Sequence, residues 1–318
     1  MSNNINFDIV NDNEISKKES KKESKNSKES TNSNVCSTSL SFLLKEYLSK
    51  NTPLVYILTP CFGSVCYVNY VHCLINTIKV FKELGIELLI EFCRNDSLVS
   101  RARNNLVARA MNNPKMTHIM FIDNDITWEP MDILKLIISD KNLVGGVYPL
   151  KRYNWESILK DDENPNIKST NMIQKWIDRK NNSQFKDVIS DEDAIQFNMV
   201  NYNINYVDTV LTIEKNVAKV RHLATGFMMI KRNVIEKMSK AFPSTKYVDD
   251  VHFLRPEENE FAYALFDCGV EEGHYFSEDW LFCHRWSKMG GSVWIDVTIS
   301  LTHTGAVDFK GCYLSSII

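Results

Sequence analysis

Two carboxylates one residue apart, Asp123 and Asp125, close the apolar run His118-Ile119-Met120-Phe121-Ile122, with Asn124 between them. Acids at this spacing can share a hard divalent cation and leave some of its positions open to phosphate oxygens. A cation held so acts as a Lewis acid in group transfer, neutralising charge on a departing diphosphate. A second acidic pair, Glu278-Asp279, opens the amphipathic stretch from Trp280 to Trp286. Acids in the first turn of a helix are favoured by the macrodipole whatever else they do, so capping is the plain reading of that pair. His303, in Thr302-His303-Thr304-Gly305, follows an apolar run, and taken alone a histidine there is structural. Arg103, in an arginine- and asparagine-rich helical stretch, and Lys151, after Tyr148-Pro149, are cations able to meet a phosphate, set against the solvated role that most surface cations have.

The elements that must position these groups alternate. Leu54 to Thr59 is a continuous apolar run of strand length ended by Pro60 and Gly63, the pattern of a strand buried on both faces. Val71, Leu74, Ile75, Ile78 and Phe81 then fall at helical spacing, and Gly85 ends that helix. Strands are expected over 86–92, 118–122 and 143–148, and helices over 98–111 and 131–139. Such alternation predicts an α/β fold with a doubly wound, mostly parallel sheet, whose ligands lie outside the carboxyl ends of the strands, where Asp123 and Asp125 stand. Residues 154–206 are rich in Asn, Asp and Lys and read as an insertion, with one helical candidate near Met172 to Ile177. Strands over 206–213, 217–223 and 226–230, a helix over 233–242, a helix over 278–289 and an apolar run over 292–301 predict antiparallel strands completing the sheet. Residues 1–34 are polar and repetitive (KKES-KKES-KNSKES), read as a disordered, low-complexity tail. One ordered domain, 35–318, is expected, with a nucleotide half at about 54–153 and an acceptor half at about 154–318.

Composition narrows the partners. A 318-residue chain with 44% hydrophobic residues can bury a sizeable core, and a net charge of −3 gives no ground to expect nucleic acid as a partner. The start, Met1 to Asn6, has neither a basic region nor an apolar stretch, and no run approaches the roughly 18 to 20 apolar residues of a transmembrane anchor. A soluble, cytoplasmic protein is the expectation. The eight cysteines are scattered without a CxxC pair or zinc spacing, so reduced thiols are expected.

The blocks FIDNDITWEP, LVGGVYPLK, ATGFMMIKR, FSEDWLFCHRW and ISLTHTG, in that order over about Leu54 to Gly305, resemble the motif series of glycosyltransferases with the GT-A fold, particularly the inverting, family-2-like kind. The resemblance implies a Rossmann-like fold, a nucleotide-sugar donor (by family frequency UDP-linked), and an acceptor hydroxyl on a glycan, glycoprotein or small molecule. It implies that Asp123, Asn124 and Asp125 form the DxD motif, with Asp125 the direct metal ligand and Asp123 nearer the ribose or diphosphate. His303 matches the late histidine that completes the metal site. An imidazole ligand leans toward Mn²⁺ over Mg²⁺. Asp279 matches the general base that deprotonates the acceptor, with Glu278 the alternative. Thr59 and Pro60, at the end of the first strand, and Asp96, after the second, stand where such enzymes hold the base; Arg103 and Lys151 complete the expected donor contacts. No QxxRW-type block of processive synthases is present, so single-sugar transfer is expected.

Two other readings remain open. Phe121 to Thr127 also satisfies the strand-DxDxT opening of haloacid-dehalogenase-type phosphatases, in which Asp123 would be a nucleophile. That motif normally follows the first strand of its domain, and its late GDxxxD box is missing here, Asp249-Asp250 being a poor substitute. The other is a non-catalytic protein that binds a nucleotide sugar or glycan.

Overall fold

The computed structural model describes residues 6–9, 32–158, 172–181 and 190–317. In chain order the first half contains β1 (Asn6–Ile9), α1 (Asn32–Lys50), β2 (Leu54–Cys61), α2 (Val68–Glu83), β3 (Glu87–Arg94), α3 (Val99–Met111), β4 (His118–Ile122), β5 (Ile126–Thr127), α4 (Pro130–Ile138), β6 (Leu143–Gly145) and β7 (Pro149–Tyr153). After these come α5 (Met172–Asn181), α6 (Asp191–Met199), β8 (Val200–Tyr202), β9 (Ile204–Asn205), β10 (Val210–Glu214), β11 (Val217–Val220), β12 (His222–Leu223), β13 (Phe227–Lys231) and α7 (Arg232–Ala241). The chain closes with β14 (Gly269–Glu271), β15 (His274–Phe276), α8 (Glu278–Lys288), β16 (Val293–Asp296), β17 (Ser300–Thr304), β18 (Asp308–Cys312) and α9 (Tyr313–Ile317).

A nine-stranded sheet in the order β1-β10-β11-β16-β6-β13-β4-β2-β3 forms the centre. Its pairings leave only β11 and β13 running against the other strands, so the fold is mixed α/β with a mostly parallel sheet. The antiparallel β13 lies inside the sheet, between β4 and β6, rather than at its edge. Strands of the expected nucleotide and acceptor halves therefore share one continuous sheet.

The apolar runs bury both faces, as their lack of polar alternation requires. Side chains alternate between faces along a strand. Leu54, Tyr56, Leu58, Ile119 and Phe121 join the core under α3, α7 and α8, with Leu106, Ile235 and Phe282. Val55, Ile57, Met120 and Ile122 join the opposite core under α2 and α4, with Phe81, Trp128 and Ile133.

Several boundaries differ from the sequence reading. Within the stretch read as a tail, Asn6–Ile9 pair in parallel with β10, and α1 begins at Asn32; the rest of that stretch lies outside the described residues. The 206–213 run begins as a strand only at Val210, because the chain first pairs β9 with β12. The apolar run from Ser292 splits into β16 and β17, which belong to different sheets. The insertion holds α6 as well as α5, and its ends meet where β7 pairs with β8 and the Asn154 amide donates to the Met199 carbonyl (2.6 Å). No helix among the described residues is long and apolar enough to cross a membrane.

Candidate active site

Strand alternation aims the two acids. Asp123 comes two residues after Phe121, and it meets the α3 and α8 side that Phe121 packs against, while its backbone amide donates to the Gly226 carbonyl (3.0 Å). There the Arg103 guanidinium donates to Asp123 Oδ1 (3.0 Å) through Nη2 and to Glu278 Oε1 (3.4 Å) through Nε. Arg103 is only 3% exposed and lies over the Phe121 ring. Its Nη1 is buried without a hydrogen-bond partner. The solvated-arginine reading fails at this position: 103, 106, 107 and 110 share the inward face of α3, and the guanidinium is kept charged there by the two carboxylates. Arg101, by contrast, is the half-exposed partner of Asp96.

The register of the small sheet β18-β17-β5 brings in the late histidine, since His303 pairs with Ile126, the residue after Asp125. The Thr304 amide donates to the Asp125 carbonyl (2.8 Å), and His303 Nε2 lies 3.4 Å from Asp125 Oδ2. Nδ1 donates to the Pro149 carbonyl (2.8 Å), which also orients the ring against Tyr148. When protonated, Nε2 donates to that carboxylate oxygen; when bare, it calls for positive charge between the two. Lys151 supplies some, its Nζ 2.6 Å from the same Oδ2. Burial works against the Asp125 charge, and the hydrogen bonds from His303 and Lys151 overcome it, holding the carboxyl below its ordinary value.

Asp125 and His303 therefore fit a cation as two protein donors facing each other, the chemistry of the set suiting a divalent metal with oxygen and imidazole ligands. The three ligands named from the sequence do not form one group, because Arg103 draws Asp123 aside. Among the described residues no three His, Cys, Asp or Glu side chains come together as a metal-holding group.

Asp279 begins α8 beside Glu278, accepts a hydrogen bond from the Trp280 amide (2.8 Å) and from the Ser277 hydroxyl, and is 9% exposed. Burial, then the adjacent Glu278 charge, raise its carboxyl above the ordinary value. Tyr148, buried between the two acid groups, has its hydroxyl raised well above its usual range by burial and by Asp123 and Asp279.

The expected nucleoside contacts are largely taken up within the protein. Thr59 is fully buried and its hydroxyl is taken up by Tyr70 (2.6 Å), because β2 is an inner strand covered on both faces. Pro60 is half-buried beside it. Asp96 is held by two Arg101 nitrogens, Nη2 and Nε (2.7 and 2.8 Å), and caps the Leu98 amide. Asn124 donates to the Val65 carbonyl (2.6 Å), tying the acidic turn to the loop after β2. Sequence reasoning missed Tyr148 and Gly226, whose contact frames the site: a Cβ at Gly226 would lie 2.6 Å from the Tyr148 hydroxyl oxygen. The only signal was a glycine at the start of a strand, where close backbone approach is common. Gly226→Ala is expected to destabilise the fold by about 1–3 kcal/mol, the range for overpacking, and to lower the activity proposed below by displacing Tyr148. Urea unfolding and turnover of the variant check both.

No family model matches the chain, and no curated protein matches it. Among solved structures it is similar to the crystal structure of A197 from STIV, at 15% identity over 79% of this chain and 86% of that chain, with a TM-score of 0.40.

Proposed function

We propose that the chain is a GT-A-type glycosyltransferase that moves a sugar from a nucleotide-sugar donor, UDP-linked by family frequency, to an acceptor hydroxyl with inversion. The observation that carries this reading is the meeting of Arg103, Asp123, Asp125, Lys151, Glu278-Asp279 and His303, from five separate stretches of chain, around the end of β4. Acids flanked by fixed cations suit a diphosphate brought in with its own counter-charge. Arg103 and Lys151 would hold its oxygens, and Arg103 Nη1 has no partner within the protein. A divalent cation between Asp125 and His303 would neutralise charge growing on the leaving diphosphate, Mn²⁺ being favoured by the imidazole. Asp279, ionised, accepts the proton of the acceptor hydroxyl as its oxygen attacks the anomeric carbon. Glu278 stays paired with Arg103 and keeps the base side in register with the donor side.

The test is hydrolysis of a panel of UDP- and GDP-sugars by the full chain, with and without Mn²⁺. Slow, Mn²⁺-stimulated release of the nucleoside diphosphate is expected. Asp125→Ala should reduce it by about 10²-fold or more, the scale of losing one aimed electrostatic group, and should remove metal-dependent donor binding in calorimetry. Donor affinity unchanged in that variant would count against the site. Release of inorganic phosphate from phosphomonoesters instead would turn the reading to a phosphatase with Asp123 as nucleophile. Nucleotide-sugar binding without turnover of any acceptor would leave a binding protein.

A further inference from the structure

Beside α8, on the flank of the residue that follows Asp279, lies a cleft of about 960 Å³ that the site above does not use. This is at the upper end of the about 300–1,000 Å³ range of small-molecule sites. It is walled by the β9 and β12 strands, the β14–β15 hairpin, and Trp280 and His284, which lie one turn apart on α8. Trp280 is half-buried, its indole stacked flat on the His222 ring (5.2 Å between centroids, 8° between planes). Tyr275, on the hairpin, is 73% exposed at the rim.

His222 is the informative group. It is 6% exposed and takes part in the cleft wall. The Asn205 amide nitrogen sits 3.4 Å from its Nδ1, so Nδ1 accepts and the neutral ring carries its proton on Nε2. Burial, then the Arg221 and His284 charges, push the ring down to a pKa of about 4, which keeps it neutral at physiological pH. Its Nε2 is nevertheless buried with no acceptor in the protein. Buried donors are nearly always paired, so an unpaired donor on a residue of the cleft wall calls for a partner the protein does not supply.

The remaining chemistry says what kind of ligand. Flat aromatic faces beside a neutral N–H donor suit the C–H face and hydroxyl oxygens of a sugar ring. A phosphorylated ligand fits poorly. Arg221 already donates to the Val207 carbonyl (3.3 Å), Asp208 and Glu272 line the cleft, and the first turn of α8 carries Glu278 and Asp279.

We infer that this cleft binds a neutral oligosaccharide, with one sugar unit against Trp280 and Tyr275 and a ring or hydroxyl oxygen accepting from His222 Nε2. The inference rests on the transferase reading in one respect: because Trp280 directly follows Asp279 on α8, the bound chain is then the acceptor, its nonreacting units in the cleft.

The test uses the full chain and three neutral trisaccharides, β-1,4-linked glucose, α-1,4-linked glucose and β-1,4-linked N-acetylglucosamine, followed by tryptophan fluorescence and calorimetry. At least one is expected to bind saturably, with Tyr275→Ala and His222→Phe each weakening it about tenfold or more. Absence of binding by all three, or binding that neither substitution weakens, overturns the inference. Saccharide binding that responds to both substitutions in a chain that hydrolyses no nucleotide sugar upholds the cleft as a glycan site and sinks the transferase reading instead.

Discussion

Asp279→Asn is expected to bind the nucleotide-sugar donor as wild type does and to lose transfer by about 10² to 10⁴-fold, the usual contribution of a positioned general base. The amide keeps the shape of the carboxyl, and its oxygen can still accept from the Trp280 amide and Ser277 hydroxyl that hold Asp279 in place. What it cannot do is take a proton. The wild-type rate should fall as pH drops through the raised Asp279 pKa, above the ordinary 3.8, and the variant's residual rate should lack that limb. Stability moves the other way. A carboxyl whose folded pKa lies above its unfolded value binds more protons when folded, so the stability it contributes falls as pH rises from 3.8 through the raised value. At neutral pH the buried charge is a cost that asparagine removes, and the variant should be at least as stable as wild type there. Thermal melts beside a transfer assay separate lost chemistry from lost folding; near-wild-type turnover would remove Asp279 as the base.

Arg103 should respond in the opposite manner, with folding and function failing together. Arg103→Met removes the cation between Asp123 and Glu278 and leaves two carboxylates facing each other, their side chains 29% and 14% exposed. Breaking a buried pair by deleting one partner costs about 3–5 kcal/mol, a large share of the about 5–15 kcal/mol by which a domain is stable. Solvent at Asp123 places the expected loss toward the lower end of that range. Lysine at 103 would keep the charge but cannot donate from two fixed nitrogens to two separate carboxylates. Urea unfolding of both variants checks the order wild type, then lysine, then methionine. A methionine variant within about 1 kcal/mol of wild type would show that the arginine does not organise the site; the coupling with Asp123, measured by a double-mutant cycle with Asp123→Asn, would then be near zero.

Much of this frame was legible in the residues. The uninterrupted apolar runs of β2 and β4 announced strands buried on both faces, and the acids at the end of β4 stood where an open α/β sheet places its ligands. The order of the motifs put His303 with Asp125, and the two side chains lie 3.4 Å apart. Three things were not. Arg103 sits on the same helical stripe as Leu106, Val107 and Ala110, and a charged residue on such a stripe is normally a surface residue; only the carboxylates arriving from 123 and 278 make its burial tolerable. The place of β13 between β4 and β6 depends on pairings more than 80 residues apart in sequence, which local periodicity does not encode. The cleft beside His222 is assembled from short strands of two or three residues, below the length at which alternation can be seen.

The closure of β7 on β8 has a consequence for how this protein could diversify. Because Pro149 to Tyr153 and Val200 to Tyr202 are zipped together, the excursion between them enters and leaves at one point of the frame. For a loop tethered at both ends, each doubling of length costs only about 0.6 kcal/mol. Residues can thus be inserted in that excursion without disturbing the strand order beneath it, while α6 stays tied to β18 through Gln196 and Asp193.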